Sequence, residues 1–214
     1  MSKNIPPNSV VLFQGDSITD VGRNREDVAS QSPHSFGSGY AMIAASVLRA
    51  DRPGDNIVCY NRGISGNRVV DLYARICGDV VNLKPTLLSV LIGVNDTWHH
   101  FNYNNGVPVP KYERIYRDFL NETREALPGI RFVLCEPFTL PCGVVTPDWT
   151  AEMAQRRAVV AKLAAEYKAV FVPFQKMFDE ACREAPPEYW AKDGVHPSAA
   201  GHQRMARAWL AAVG

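Results

Sequence analysis

Gly15-Asp16-Ser17-Ile18 follows the apolar run Val10-Val11-Leu12-Phe13-Gln14, so a serine arrives where a strand breaks at a glycine. Serine is a poor nucleophile at neutral pH unless a base, an orienter for that base and donors for an oxyanion stand beside it. Near the other end, Asp193-Gly194-Val195-His196 puts an acid three residues before a histidine, and Pro197 biases His196 away from helical geometry. In an extended loop, that spacing lets Asp193 accept from one imidazole nitrogen while the other faces Ser17, a relay suited to acyl transfer. The competing reading is an aspartate capping a turn beside a packed histidine. Three oxyanion donors are available at neighbouring strand ends: the backbone N–H of Ser17, the backbone N–H of Gly63 and the side-chain amide of Asn95. Here too a plainer reading stands, with Gly63 making a turn and Asn95 an Asx turn.

Elements that could bring these residues together follow from the patterning. Short apolar runs alternate with longer amphipathic ones from Ser9 onward, the pattern of repeated βα units around a parallel sheet. Strands are expected at Val10 to Gln14, Ile57 to Tyr60, Thr86 to Ile92, Arg131 to Glu136 and Val170 to Pro173. Helices are expected from Tyr40 to about Asp51, Val69 to Cys77, Tyr112 to Leu127, through Val160 and Tyr167, Gln175 to Arg183 and Ser198 to Val213. A polar loop reaches Gly39, and Trp98 to Pro110 and Pro137 to Asp148 read as irregular surface segments. These elements predict a three-layer α/β/α sandwich around a central five-stranded parallel sheet, one domain over residues 1–214. Ligands of such sheets bind beyond the carboxyl ends of the strands, where the polar motifs all fall.

Composition narrows the partners. Lys plus Arg number 23 against 22 Asp plus Glu, and a net charge of +1 offers no footprint for nucleic acid or an anionic membrane. The first residues lack the apolar core of a secretory signal, so a cytoplasmic protein is expected. The five cysteines show no metal spacing and read as reduced, mostly buried thiols. Asp16, Asp20 and Asp96 read as carboxylates holding loop backbones rather than metal ligands, and Arg156-Arg157 as a solvated helix face. Gly37-Ser38-Gly39 lacks the third glycine and the preceding strand of a dinucleotide fingerprint.

Taken together, the chain resembles the SGNH hydrolase family, the GDSL-type esterases and lipases. Four blocks carry the resemblance in order: Gly15-Asp16-Ser17-Ile18, Gly63, Gly93-Val94-Asn95-Asp96 and Asp193-Gly194-Val195-His196. The resemblance implies a flavodoxin-like SGNH fold, Ser17 as nucleophile, His196 as base with Asp193 as its orienter, an oxyanion hole of Ser17, Gly63 and Asn95, and no cofactor or metal. A closer likeness is to bacterial carbohydrate acetylesterases, especially acetylxylan esterases, through Thr19-Asp20, Gly22-Arg23, Gly37-Ser38-Gly39-Tyr40, Ile64-Ser65-Gly66-Asn67, Thr97-Trp98 and His196-Pro197-Ser198-Ala199-Ala200-Gly201-His202. It implies deacetylation of xylan or its oligosaccharides by a homo-oligomer. Trp98 could stack on a sugar ring, and Arg68 either contacts substrate or pairs with a carboxylate. Other readings are a lysophospholipase, thioesterase or arylesterase of the same family, a metal-dependent phosphoesterase using Asp16, Asp96 and His196, and a non-catalytic carbohydrate-binding protein.

Overall fold

The structure, a computed structural model, describes residues 5–27 and 32–214. Part of the polar loop expected before Gly39, and the opening four residues, lie outside that range. In chain order the elements are β1 (Val10–Gly15), α1 (Ser17–Asp20), α2 (Tyr40–Ala50), β2 (Val58–Asn61), α3 (Val69–Ala74), α4 (Ile76–Asp79) and β3 (Leu87–Leu91). There follow α5 (Val94–Tyr103), α6 (Val109–Ala126), β4 (Arg131–Cys135), α7 (Pro147–Tyr167), β5 (Val170–Val172), α8 (Phe174–Ala181), α9 (Pro187–Trp190) and α10 (Ala199–Val213).

The strands form one parallel sheet in the order β2-β1-β3-β4-β5, the flavodoxin-like arrangement. Strand β3 is buried along its whole length because helices cover both faces, which is why its sequence reads as an unbroken apolar run. Side chains alternate across the sheet. Val11, Phe13, Leu91 and Val133 pack on one face with Tyr40, Phe174, Phe178, Met205 and Trp209. Leu12, Leu88, Val90 and Leu134 pack on the other with Leu72, Tyr116, Phe119, Leu120, Val160 and Leu163. Ser89, the polar member of β3, is satisfied by Trp209, whose indole N–H donates to its Oγ at 2.9 Å. The sheet order reverses between β1 and β3, so the loops after these two strands flank the crevice where doubly wound sheets bind ligands.

Several expectations need correction. Trp98 to Pro110 is not one long loop: α5 runs to Tyr103, and α6 opens at Val109 behind Pro108, with Pro110 in its first turn where a missing N–H costs nothing. The polarity that suggested a loop belongs to the outer end of a helix: His100 to Asn105 are exposed, while the turn that anchors α5, Val94 to Thr97, lies just before the expected segment and is buried. The helix expected from Val69 to Cys77 breaks at Arg75 into α3 and α4. Short helices α1 and α9 have no periodicity to announce them.

Arg156 is no solvated residue either, for it is 0% exposed. Its guanidinium donates to Thr97 Oγ1 at 2.8 Å, to the Val107 carbonyl at 2.7 Å and to Glu152 Oε1 at 2.5 Å, tying α7 to α5 and to the turn before α6. Arg157 is half-buried and donates to Gln175 Oε1 at 3.2 Å. Among the described residues no helix is long and apolar enough to cross a membrane, and no group of three or more His, Cys, Asp or Glu is arranged to hold a metal ion.

Candidate active site

Strand β1 ends at Gly15, and the chain turns at once into α1. Asp16 caps that helix, its Oδ1 accepting from the Ile18 N–H at 3.0 Å, which leaves Ser17 at the first helical position with no intrahelical acceptor for its own N–H. Close packing of the turn on β3 demands a glycine at 15, where a Cβ would lie 2.4 Å from the Leu91 carbonyl oxygen. Ser17 itself is partly exposed.

The loop before α10 brings the histidine to it. Ser17 Oγ lies 2.9 Å from His196 Nε2, and His196 Nδ1 lies 2.6 Å from Asp193 Oδ2. A carboxylate on Nδ1 fixes the hydrogen there and leaves Nε2 as the acceptor of the serine proton. Asp193 Oδ1 meanwhile accepts from the backbone N–H groups of Val195 at 2.9 Å and His196 at 2.7 Å. Burial pushes the Asp193 carboxyl up, but the His196 ring and these two N–H bonds outweigh it and hold the group below the usual carboxylate range. The segment expected to be irregular after Pro137 braces this loop: Leu140 N–H donates to the Gly194 carbonyl at 2.8 Å and Val144 N–H to the Asp193 carbonyl at 3.1 Å. Gly194 has φ +83°, and a Cβ there would lie 2.4 Å from the Cys142 carbonyl oxygen, so only glycine passes.

Two further segments border Ser17. Asn95, in the first turn of α5, is 7% exposed and gives one amide hydrogen to the Asn67 carbonyl at 3.1 Å, leaving its second for another acceptor. The loop after β2 corrects one expectation. Gly63 N–H is occupied, donating to Asn61 Oδ1 at 2.8 Å, and Gly63 is there for close approach, since a Cβ would lie 2.5 Å from the Asp20 nitrogen. Ile64 N–H goes to the Gly15 carbonyl at 3.0 Å, Ser65 N–H to Asp20 Oδ2 at 2.9 Å and Asn67 N–H to the Ile64 carbonyl at 3.1 Å. Gly66 N–H is the loop amide left without an acceptor among the described residues.

Asn61 is a residue that composition and spacing did not single out. Its Nδ2 donates to the Thr19 carbonyl at 2.6 Å and the Phe36 carbonyl at 2.8 Å, so one side chain fastens α1, the loop before α2 and the turn after β2. Its place at the carboxyl end of β2 was the available signal. The three aspartates do hold backbones. Besides Asp16 and Asp20, Asp96 accepts from the Val69 N–H at 3.1 and 3.2 Å. Burial pushes the carboxyls of Asp16 and Asp96 each up to about 7. Buried His202 accepts from the Tyr40 N–H through Nδ1 at 3.2 Å, and burial takes its ring down to about 4.

Of the two residues set apart for substrate, Trp98 is partly exposed beside the histidine, its ring centroid 5.8 Å from that of His196 and 5.3 Å from that of Trp149. Arg68 is engaged elsewhere, with Asp71 at 3.0 and 3.2 Å and the Asn105 carbonyl at 2.7 Å. A serine hydroxyl bonded to a histidine, that histidine to a carboxylate, and donors left over on either side suit nucleophilic acyl transfer.

Comparison with known proteins gives the same reading. Residues 13–204 match the GDSL-like lipase/acylhydrolase family. An acetylxylan esterase of Geobacillus stearothermophilus is 38% identical over 208 residues, 95% of this chain and 93% of that one. The crystal structure of that organism's acetylxylan esterase Axe2 superposes with a TM-score of 0.90 at 36% identity, covering 99% of this chain and 96% of the other. Catalytic mutants of Axe2 include one with a serine and one with an aspartate replaced by alanine. A protein described as a GDSL-like lipase from Parabacteroides merdae superposes with a TM-score of 0.95 at 42% identity, covering 100% of this chain and 99% of that one.

Proposed function

Since the chain belongs to the GDSL-like lipase/acylhydrolase family and is a carboxylic ester hydrolase, we propose that Ser17, His196 and Asp193 carry its reaction and that it removes acetyl groups from carbohydrate, xylan-derived oligosaccharides foremost. The observation that carries the reading is the line of hydrogen bonds from Ser17 Oγ through His196 to Asp193.

In this mechanism Ser17 Oγ attacks the ester carbonyl carbon while its proton passes to His196 Nε2. Charge gathers on the carbonyl oxygen, which takes hydrogen bonds from the Ser17 N–H, the Gly66 N–H and the Asn95 amide. Gly66 replaces Gly63 in that role because the Gly63 N–H already has an acceptor. As the tetrahedral species collapses, the sugar oxygen leaves with the proton from His196. Water then enters, gives a proton to His196 and attacks the acyl carbon. Acetate departs as the proton returns to Ser17. Asp193 holds the tautomer and stabilises the imidazolium throughout.

Support for the substrate comes from the identity with an acetylxylan esterase over nearly the whole chain, and from Trp98, whose partly exposed ring stands beside His196 where a sugar ring would pass. The test is acetate release from acetylated xylo-oligosaccharides, beside p-nitrophenyl acetate and palmitate, for wild type and Ser17→Ala. The expected result is rapid acetate release and little palmitate cleavage, with loss of about a thousandfold or more in the variant. Cleavage of the palmitate ester alone would move the substrate to lipids, and a fully active variant would remove the serine mechanism.

A further inference from the structure

The nucleophile turn and the loop that carries Gly66 leave the sheet from different strands, yet an oxyanion hole works only when its donors are held within about half an ångström of the productive geometry. The β1–β2 ladder supplies the first part of that constraint. Arg62 N–H donates to the Phe13 carbonyl at 2.8 Å and Ile64 N–H to the Gly15 carbonyl at 3.0 Å, continuing the parallel pairing past the end of β2. After Ile64 the ladder has no further partner, because β1 has already turned into α1.

At that point a side chain takes over. Asp20, the last residue of α1, is 2% exposed. Its Oδ2 accepts from the Ser65 N–H at 2.9 Å, from the Ser65 hydroxyl at 2.8 Å and from Arg25 Nη2 at 2.7 Å. Its Oδ1 accepts from the Arg23 N–H at 3.2 Å. Arg23 in turn donates through Nε to the Gly63 carbonyl at 2.7 Å, so both ends of the segment 63–65 are tied to the residues that follow Ser17. These bonds fix the residue immediately before Gly66, and with it the direction of the one amide of this loop that has no acceptor among the described residues.

We propose that Asp20 is a positioning residue: it clasps the oxyanion loop to the nucleophile turn and so aims the Gly66 N–H at the developing oxyanion. The inference rests on the esterase reading above and deepens it. Asp20 does not touch the substrate and acts only through Gly66. Bonds to an ionised acceptor are the stronger kind, and Arg25 and Ser65 hold this carboxyl below its ordinary range against the upward push of burial. The charge is therefore part of the device, and the neutral isostere is the informative change.

The experiment measures Asp20→Asn and Ser65→Ala with p-nitrophenyl acetate, rates being expressed per active site titrated with a p-nitrophenyl phosphonate. Inhibition by a short alkyl boronic acid, which adds to the serine and presents its negative oxygen to the oxyanion donors, is measured alongside. For Asp20→Asn the expected result is a kcat lower by about 30-fold, KM within about twofold, and boronate inhibition weakened by the same factor as kcat/KM. Ser65 is exposed, so Ser65→Ala keeps the fold and loses one of the two bonds. It should lose about threefold in kcat with a parallel weakening of the boronate. A role confined to stability would lower the melting temperature and leave titrated rates and boronate affinity as in wild type, and that outcome overturns the proposal. So does an unaltered Ser65→Ala if Asp20→Asn fails to fold. A wild type whose hydrolysis does not depend on Ser17 would instead overturn the esterase mechanism, which the Ser17→Ala control separates from a failed clasp.

Discussion

At the scale of single residues, chemistry here is set by which hydrogen bonds are already made and which are left over. Asn95 illustrates it: one amide hydrogen is anchored on the Asn67 carbonyl, which orients the other. Asn95→Ala should therefore lower kcat about 100-fold with little change in KM, because the lost bond forms fully only in the transition state. Equal loss of affinity for substrate, seen as a raised KM at constant kcat, would contradict that role. That Ser17, Asp193 and His196 come together was expected from a serine after a strand-ending glycine and an acid three residues before a histidine, but that pattern also fits a capped turn, and the likeness of all four blocks to one family was needed to choose. Which of the two nearby glycine amides is left without an acceptor among the described residues was not legible. The choice between Gly63 and Gly66 turns on whether the Asn61 side chain folds back onto the Gly63 N–H, a tertiary contact that no spacing encodes.

Among the elements, α5 shows where sequence reading and structure part company. The histidines and asparagines from His99 to Asn105, with Gly106 after them, suggested a loop, yet most of them form the exposed end of a helix whose buried first turn, Asn95 to Thr97, is paired inward. The pairing depends on Arg156 of α7, whose spacing from Glu152 announces an ion pair but not its burial. Glu152 also accepts from Thr97 Oγ1 at 2.9 Å and bonds His100 Nδ1 at 2.6 Å, so the network fixes the helix that carries Asn95 and Trp98. Replacing Arg156 with methionine fills much of its volume but leaves Glu152, Thr97 and the Val107 carbonyl without their buried donor. The cost should be about 3 kcal/mol in urea unfolding. A change below about 0.5 kcal/mol would mean that the network contributes little to holding α5. The strands were legible to within a residue or two because a buried parallel sheet writes itself as separate apolar runs. The short helices α1 and α9 were not, since four residues are too few to show a period.

For the molecule as a whole, the reversal of strand order beside β1 gathers the site from three strand ends and the loop before α10. That gathering buries two carboxyls, Asp16 and Asp96, each with its pKa pushed up to about 7 by burial. Between about pH 4 and 7 such a group binds a proton in the folded chain and not in the unfolded one, so its contribution to stability declines as pH rises through that window and levels off above it. Wild type should accordingly lose stability relative to Asp96→Asn between pH 5 and pH 8 in urea titrations. A gap that stays constant between the two would show that Asp96 is ionised throughout. Attack of Ser17 on the ester, with the acyl group passing to its oxygen, is open to direct observation by acid-quenching the enzyme during turnover of p-nitrophenyl acetate and mapping the acetylated peptide by mass spectrometry. Such attack predicts one acetyl group on the peptide bearing Ser17, absent from Ser17→Ala. Acetylation elsewhere at full turnover, or turnover by Ser17→Ala at the wild-type rate, would contradict it.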